Sequence, residues 1–488
     1  MRSIKGLFLF LFLLFPLESQ ELKGFDPKFH GWYWENFKLK PVPENVLKET
    51  FIGFSPDIDL GDFIFYEAVR DFGKNGHCLG TVLSAAIIFK ENGLRGFCKP
   101  IYLYGTPDTN SSFWRDTLVP LIQMLHFRQF GKEFVEYVFE VLNFDPVNFV
   151  DGSKAYLAVE RILSEKKVPL ITIFKGPFES DGHALLAYKL EDNGVQKRIY
   201  VYDPNRPYND NRTWYDNKEN FIKIDGDNWE FVFSGGDTWS NGIIIVYPAD
   251  ILTFPQEHMG DMIEDLMTIV VAKADISQVE DGKGNKLFKR DIEGKPKLED
   301  FERESKIKGF IKFPYVGVKD MFDKEIYIVK KGLFESLKIK LRDKGKGYTF
   351  EIFFPNNALK IESDMGSKGK DLIILKNLGS DIREIEIKNS TKSKSKYELK
   401  VYSLIEKDIS KTVEIKNLDL EKDKKVIFSF SGNGKYFSFS SNKDLILDIK
   451  LYGKEKRVEI KDNKKLDLIY KTDMKNFIIK ERIKESLK

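Results

Sequence analysis

The hydrophobic rhythm of the chain changes near its middle. In the first half, apolar residues recur at helical spacing. Leu79, Val82, Leu83, Ala86 and Ile87 predict a helix over residues 79–90, with Gly93 as its stop. Residues 114–127 and 131–142 predict two more, the second placing Phe134, Val135, Val138, Phe139 and Leu142 on one face. Ser153 is the expected cap of a further helix carrying Tyr156, Val159, Ile162 and Leu163. Residues 168–174 (VPLITIF) predict a buried strand. Two more strands flank the turn Asp192, Asn193, Gly194, and residues 243–247 predict another. Helices followed by strands, without regular alternation, predict an α+β unit that ends near residue 265.

Beyond that point the rhythm is two. Leu337, Ile339 and Leu341 alternate with Lys338, Lys340 and Arg342, and Tyr397, Leu399 and Val401 alternate with Glu398 and Lys400. Leu445, Leu447, Ile449 and Leu451 repeat the pattern. Such alternation marks half-buried antiparallel strands, and its extent predicts one or two all-β sandwich domains. A polar, Gly-containing break over residues 363–370 places a boundary at 365, giving domains 266–365 and 366–488. The lysines are expected on solvated outer faces, where they also discourage edge pairing.

At 488 residues the chain is too long for one core. Its 42% hydrophobic and 31% charged residues describe a globular protein, not a disordered one. Lys plus Arg total 78 and Asp plus Glu 75, a balance that argues against a nucleic-acid partner. Arg2 and Lys5, the apolar run 6–17, and polar Glu18, Ser19 and Gln20 have the form of a signal peptide over residues 1–19, hence export. An uncleaved anchor is the alternative. The two cysteines, Cys78 and Cys98, form neither a disulfide scaffold nor a four-thiolate zinc site. No metal or cofactor is expected, and cysteine chemistry must use one of these two.

Cys78 lies in Gly76, His77, Cys78, Leu79, Gly80. A small-residue turn delivers it to the first turn of a helix, where the dipole and free amides favour the thiolate, and its own amide becomes an oxyanion donor. An inert buried cysteine, or a Cys78–Cys98 disulfide, is the alternative. His183 follows Ser180, Asp181 and Gly182 and opens a strand, while Asp203 ends the next strand before Pro204. A three-residue loop with Gly194 left-handed would pair Ala187 with Ile199, Leu185 with Val201 and His183 with Asp203. A two-residue turn would break that pairing. Asn205 is the alternative partner for His183.

A Gly-x-Cys-x-Gly helix entry, Gly-His at a strand start and Tyr-Asp-Pro at the end of the next strand together resemble the papain-like cysteine peptidases, in the branch that uses Asp as third member. The resemblance spans residues 71–207. It implies Cys78 as nucleophile, His183 as acid and base, and Asp203 as the residue that orients the imidazole. Family members carry a Gln shortly before the nucleophile. None lies between Gln20 and Cys78, so Asn75 takes the oxyanion role, and the usual Trp after the nucleophile is also missing. The expected protein is a papain-like peptidase domain over residues 20–265 followed by β-sandwich domains. It would be a secreted cysteine hydrolase acting on a peptide or protein substrate, with the β-domains as the place for a cell-surface partner. A transglutaminase-like enzyme has the same residue order but a much shorter Cys-to-His separation. The competing reading is a non-catalytic secreted or surface binding protein built on a degenerate peptidase domain. The missing Gln favours that rival.

Overall fold

The computed structural model describes residues 20–483 apart from the segments 105–110, 143–150, 176–180, 208–219, 260–265, 290–309, 317–323 and 364–369 and a number of shorter stretches, Asn75 among them. The expected signal peptide, residues 1–19, lies outside the described residues. The fold is mixed α+β, rich in strand and built on several antiparallel sheets.

The first part carries helices α1 (Pro27–His30), α2 (Glu44–Thr50), α3 (Leu60–Val69), α4 (Cys78–Glu91), α5 (Val119–Phe127), α6 (Lys132–Leu142) and α7 (Gly152–Ser164). Strands β1 (Pro169–Phe174), β2 (Gly182–Asp192), β3 (Lys197–Tyr202), β4 (Phe221–Asp225), β5 (Asn228–Val232), β6 (Thr238–Ser240) and β7 (Ile244–Pro248) then form one antiparallel sheet in the order β6-β5-β4-β3-β2-β1-β7. Every residue of α4 from Cys78 to Ile88 is buried, because the helix is apolar or small on all sides and packs between α5 and β2.

Three local expectations are corrected. Asp151, not Ser153, caps α7: its carboxylate accepts from the Lys154 amide at 3.0 Å and from the Ser153 hydroxyl at 2.7 Å. An aspartate there also meets the positive end of the helix dipole. Asn92, left-handed at φ 59°, ends α4 one residue before Gly93. The β2–β3 register also differs. Asp192 pairs with Lys197, so the loop is the four residues 193–196. The Asn193 side chain holds it by accepting from the Val195 and Gln196 amides at 3.0 and 2.8 Å. An irregularity between Ala187 and Lys189 then shifts the register by one, pairing Ala187 with Val201 and Leu186 with Tyr202. With period-two side chains, that one-residue shift decides which residues share a face.

Among the described residues, the second part is two nine-stranded antiparallel sheets with a shared core. Leu337, Ile339, Leu341, Ile373 and Leu375 of one sheet meet Phe350, Ile352, Ile361, Leu399 and Val401 of the other in one apolar cluster. The alternate lysines form ion pairs outside: Lys338 and Lys340 with Glu280, Lys376 with Glu384 and Glu386, and Lys425 with Glu386. The expected boundary at 365 does not separate two domains. Ser336–Asp343 pairs with Lys370–Lys376 in one sheet, and Asn357–Ser363 with Ser395–Glu406 in the other. Segments 266–365 and 366–488 therefore share both sheets. A polar break reads alike whether it separates domains or joins strands, and here it joins them.

The two parts are packed together. Val270, Ile326, Ile328, Phe353 and Ala358, with Phe313, Tyr315 and Val316, belong to the core of the first part rather than that of the sheets. Gln129 seals this seam. Its Oε1 accepts from the Val316 amide at 2.8 Å, and its Nε2 donates to the Val316 carbonyl at 3.3 Å. Gln129→Met keeps the volume but orphans a buried amide and carbonyl, an expected loss of about 2–4 kcal/mol. Hydrogen exchange at the Val316 amide should quicken; an unchanged rate would show that Gln129 does not hold the seam. Among the described residues no helix is long and apolar enough to cross a membrane.

Candidate active site

The site begins with the entry to α4. Gly76 has φ +156°, and a Cβ there would lie 2.6 Å from Asn36 Nδ2, so only glycine fits beside Asn36. His77 is the N-cap residue and its side chain makes no capping hydrogen bond. The first amides of α4, including that of Cys78, thus remain uncapped donors at the positive end of the dipole. Cys78 is a free thiol with 2% of its surface exposed.

His183 stands near the start of β2. Gly182 before it leaves room for the Phe174 ring, which would lie 2.5 Å from a Cβ at that position. The His183 Nε2 lies 2.7 Å from Asp203 Oδ1, and the Cys78 side chain is close enough to the ring to favour its charged form. With Nε2 turned to the carboxylate, Nδ1 is the nitrogen left for Cys78. Phe233 packs against the imidazole with ring centres 5.6 Å apart.

Asp203 is fully buried just past the end of β3. Its Oδ1 also accepts from the Asn205 amide at 2.8 Å, a turn that bends the chain at Pro204. The shift near Tyr188 would place Asp203 opposite Leu185 if the ladder continued. His183 is then a diagonal neighbour on the same face, within reach of a side chain. Without the shift, the register set by the loop would put the two on opposite faces. Asn205 serves through its main chain, not as the partner of His183. Asn75 lies outside the described residues.

Burial works against a charge on His183, but the Asp203 carboxylate and the Cys78 side chain outweigh it and raise the imidazole to about 10. The ring is therefore an imidazolium at neutral pH. A folded value above the unfolded one, about 6.5, stabilises the fold fully below pH 6.5. That stability is lost as pH rises through about 10. Denaturant melts of wild type should therefore weaken between those pH values, and His183→Gln should remove most of the slope. An equal slope in both would show that the charge lies elsewhere.

Two features escaped the sequence reading. One is the strap of residues 31–36. The Trp32 amide donates to Tyr202 Oη at 3.0 Å and its indole to Ser84 Oγ of α4 at 2.8 Å. The Asn36 amide donates to the Pro204 carbonyl at 2.8 Å, while its Oδ1 accepts from the His77 amide at 2.7 Å. The strap thus ties the cysteine helix to the aspartate turn. The aromatic run Trp32, Tyr33, Trp34 was its only trace in the sequence. The other is Arg206. Its Nε lies 3.8 Å from Asp203 Oδ2, its Nη1 donates to Asn220 Oδ1 at 3.1 Å, and its Nη2 donates to the Val232 carbonyl.

His77 does not join the chemistry. Its ring packs between Phe37 and His126, and burial pushes it down to about 4, so it stays neutral. Cys98 is exposed and free, with its sulfur 3.8 Å from Tyr104 Oη. Among the described residues no group of three or more His, Cys, Asp or Glu side chains could hold a metal ion. No protein-family model matches the chain, and comparisons with curated proteins and with solved structures find no match either.

Proposed function

We propose that the chain is an exported cysteine hydrolase of papain-like type that cleaves peptide or amide bonds, with residues 1–19 removed as a signal peptide. The observation that carries this reading is the convergence of Cys78, His183 and Asp203, with the imidazole bonded to the carboxylate and the thiol beside it at the start of a helix. The parts are chemically complementary. A thiolate at a helix start is a nucleophile, a buried imidazolium beside it is the proton donor for a leaving amine, and a buried carboxylate keeps the ring oriented.

The Cys78 sulfur attacks the substrate carbonyl, and the carbonyl π electrons move onto oxygen. The uncapped Cys78 amide faces that charge as an oxyanion donor. As the tetrahedral adduct collapses, the C–N bond breaks and His183 gives its proton to the leaving nitrogen. The neutral imidazole then takes a proton from water, whose oxygen attacks the thioester and returns the sulfur as thiolate and His183 as imidazolium. Asp203 holds Nε2 throughout, so Nδ1 carries the transferred proton.

The test uses the mature chain with Cys98→Ser, because the exposed Cys98 would otherwise react with thiol reagents. A peptide library read by mass spectrometry should show cleavage, and a peptidyl electrophile should add once, at Cys78. Neither cleavage nor labelling at neutral pH would overturn the reading and leave a non-catalytic binding protein.

A further inference from the structure

We propose that Arg206 is a positioning residue of this site, its buried guanidinium supplying the counter-charge of Asp203 so that the His183 imidazolium is left to balance a Cys78 thiolate. The inference rests on the cysteine-hydrolase reading of the site. It begins from a charge count. Arg206 and Asp203 are both buried, with 5% and 0% of their surfaces exposed, and the ion pair at 3.8 Å joins them on the side of the carboxylate away from His183. His183 holds Oδ1 and Arg206 lies toward Oδ2. Under the proposal, an ionised Cys78 would complete a row of guanidinium, carboxylate, imidazolium and thiolate. If the guanidinium is removed, the imidazolium is the counter-charge left to Asp203 among the described residues, and a thiolate on Cys78 becomes harder to bury.

The same side chain also fixes geometry. Through Nη2 it holds the Val232 carbonyl at the end of β5, and the next residue, Phe233, is the one that packs on the His183 ring. Its guanidinium also stands over the Phe231 ring at 5.7 Å. Arg206 thus anchors both the carboxylate and the aromatic cover of the imidazole.

The other titratable groups that face the row are Tyr202 beside Asp203, Tyr247 of β7 beside Cys78, and His77 before Cys78. Burial pushes both tyrosines well up, with Asp203 adding to the rise at Tyr202 and Cys78 to that at Tyr247. His77 is neutral for the reason given above. None of the three supplies a positive charge at neutral pH, so the guanidinium has no substitute among the described residues.

The experiment measures the rate of Cys78 alkylation by iodoacetamide against pH in the Cys98→Ser chain. Arg206→Met should move the midpoint of that profile up by about one pH unit, slowing alkylation about tenfold on its acid side. Arg206→Lys keeps the charge and should stay within about 0.3 unit of the parent. Should Arg206→Met fail to fold, Arg206→Gln takes its place, again removing the charge, and the same rise of the midpoint is expected. Equal midpoints with and without the guanidinium in folded proteins overturn the proposal, as does a Lys variant that matches Met, since a purely structural arginine would give either result. A parent chain whose Cys78 resists alkylation at neutral pH overturns instead the hydrolase reading, so the two failures are distinct.

Discussion

Cys78→Ala is expected to abolish hydrolysis, with a loss of about 10⁴-fold or more, by analogy with the serine triads. His183→Ala should cost as much, because one ring serves as both proton donor and acceptor. The two losses should not add, since either change breaks the same chain of events. Asp203→Ala is different. It leaves the thiol and the imidazole in place but removes the group that holds Nε2 and opposes the desolvation of the ring. It also removes the carboxylate that Arg206 approaches at 3.8 Å, so part of its effect will be on the fold. Asp203→Asn is the cleaner variant and should retain measurable activity. The check is kcat/KM on any peptide that wild type cleaves, with circular dichroism to establish folding. Full activity in folded Cys78→Ala would eliminate this mechanism.

Much of the site was legible because its parts are local signals. A small-residue turn before an apolar helix marked Cys78, and α4 begins at that residue. Gly182-His183 and Asp203-Pro204 marked two strand ends. The joining of these parts was not legible. The loop of four residues depends on the Asn193 side chain, and no sequence pattern marks the shift near Tyr188. The expected three-residue loop and regular ladder gave contact between His183 and Asp203 by direct pairing. The contact forms instead through a longer loop and a bulge that restores the face. Arg206 went unnoticed because nothing in the sequence places Asn220 and Val232 beside it. The strap of residues 31–36 was invisible for the same reason: its partners Ser84 and Tyr202 are 52 and 170 positions away. In the second part the alternation identified strands correctly but not their sheets, because period two is the same whichever neighbour a strand chooses.

These long-range ties matter because the nucleophile and its base lie on different layers. Cys78 belongs to a helix, His183 to the sheet and Asp203 to the turn just past β3. Their alignment depends on how α4 is seated, and α4 is seated by three unlike devices. Trp32 pins its outer turn through Ser84, Asn36 pins its entry through His77, and α5 closes over it from the opposite side. Beyond α5, Gln129 and Val316 carry the seating on to the two-sheet part. The two-sheet part is therefore a wall of the first core and not a detached module. A fragment beginning near residue 266 would expose Val270, Ile326, Ile328 and Phe353, which the intact chain buries.

Gly80→Ala is expected to be the most damaging single methyl in the protein's first part. Gly80 lies on α4 two residues past the nucleophile, where the helix meets α5. A Cβ at that position would stand 2.1 Å from the Ile122 carbonyl oxygen, 3.0 Å from its carbon and 3.1 Å from the His126 Cβ. The first two are backbone of a buried helix and cannot turn aside. Two effects oppose one another. Alanine improves helix propensity by about 1 kcal/mol. Forcing two packed helices apart in a dense core costs about 3 kcal/mol or more, so the overlap wins. α5 has little room to retreat, because Gln129 just beyond it is fixed to Val316 and Leu121, Ile122 and Leu125 are fully packed. The strain will therefore also move α4, and with it Cys78 relative to His183. A displacement of about 1 Å is enough to cost about 10²-fold in rate. Melting temperature and kcat/KM should fall together. Gly332→Ala, at a position with nothing within 4 Å and no left-handed backbone, is the control and should change stability by about 0.5 kcal/mol or less. If Gly80→Ala behaves like that control in both measurements, α4 and α5 do not approach as closely as the structure places them, and the seating of the nucleophile must be explained another way.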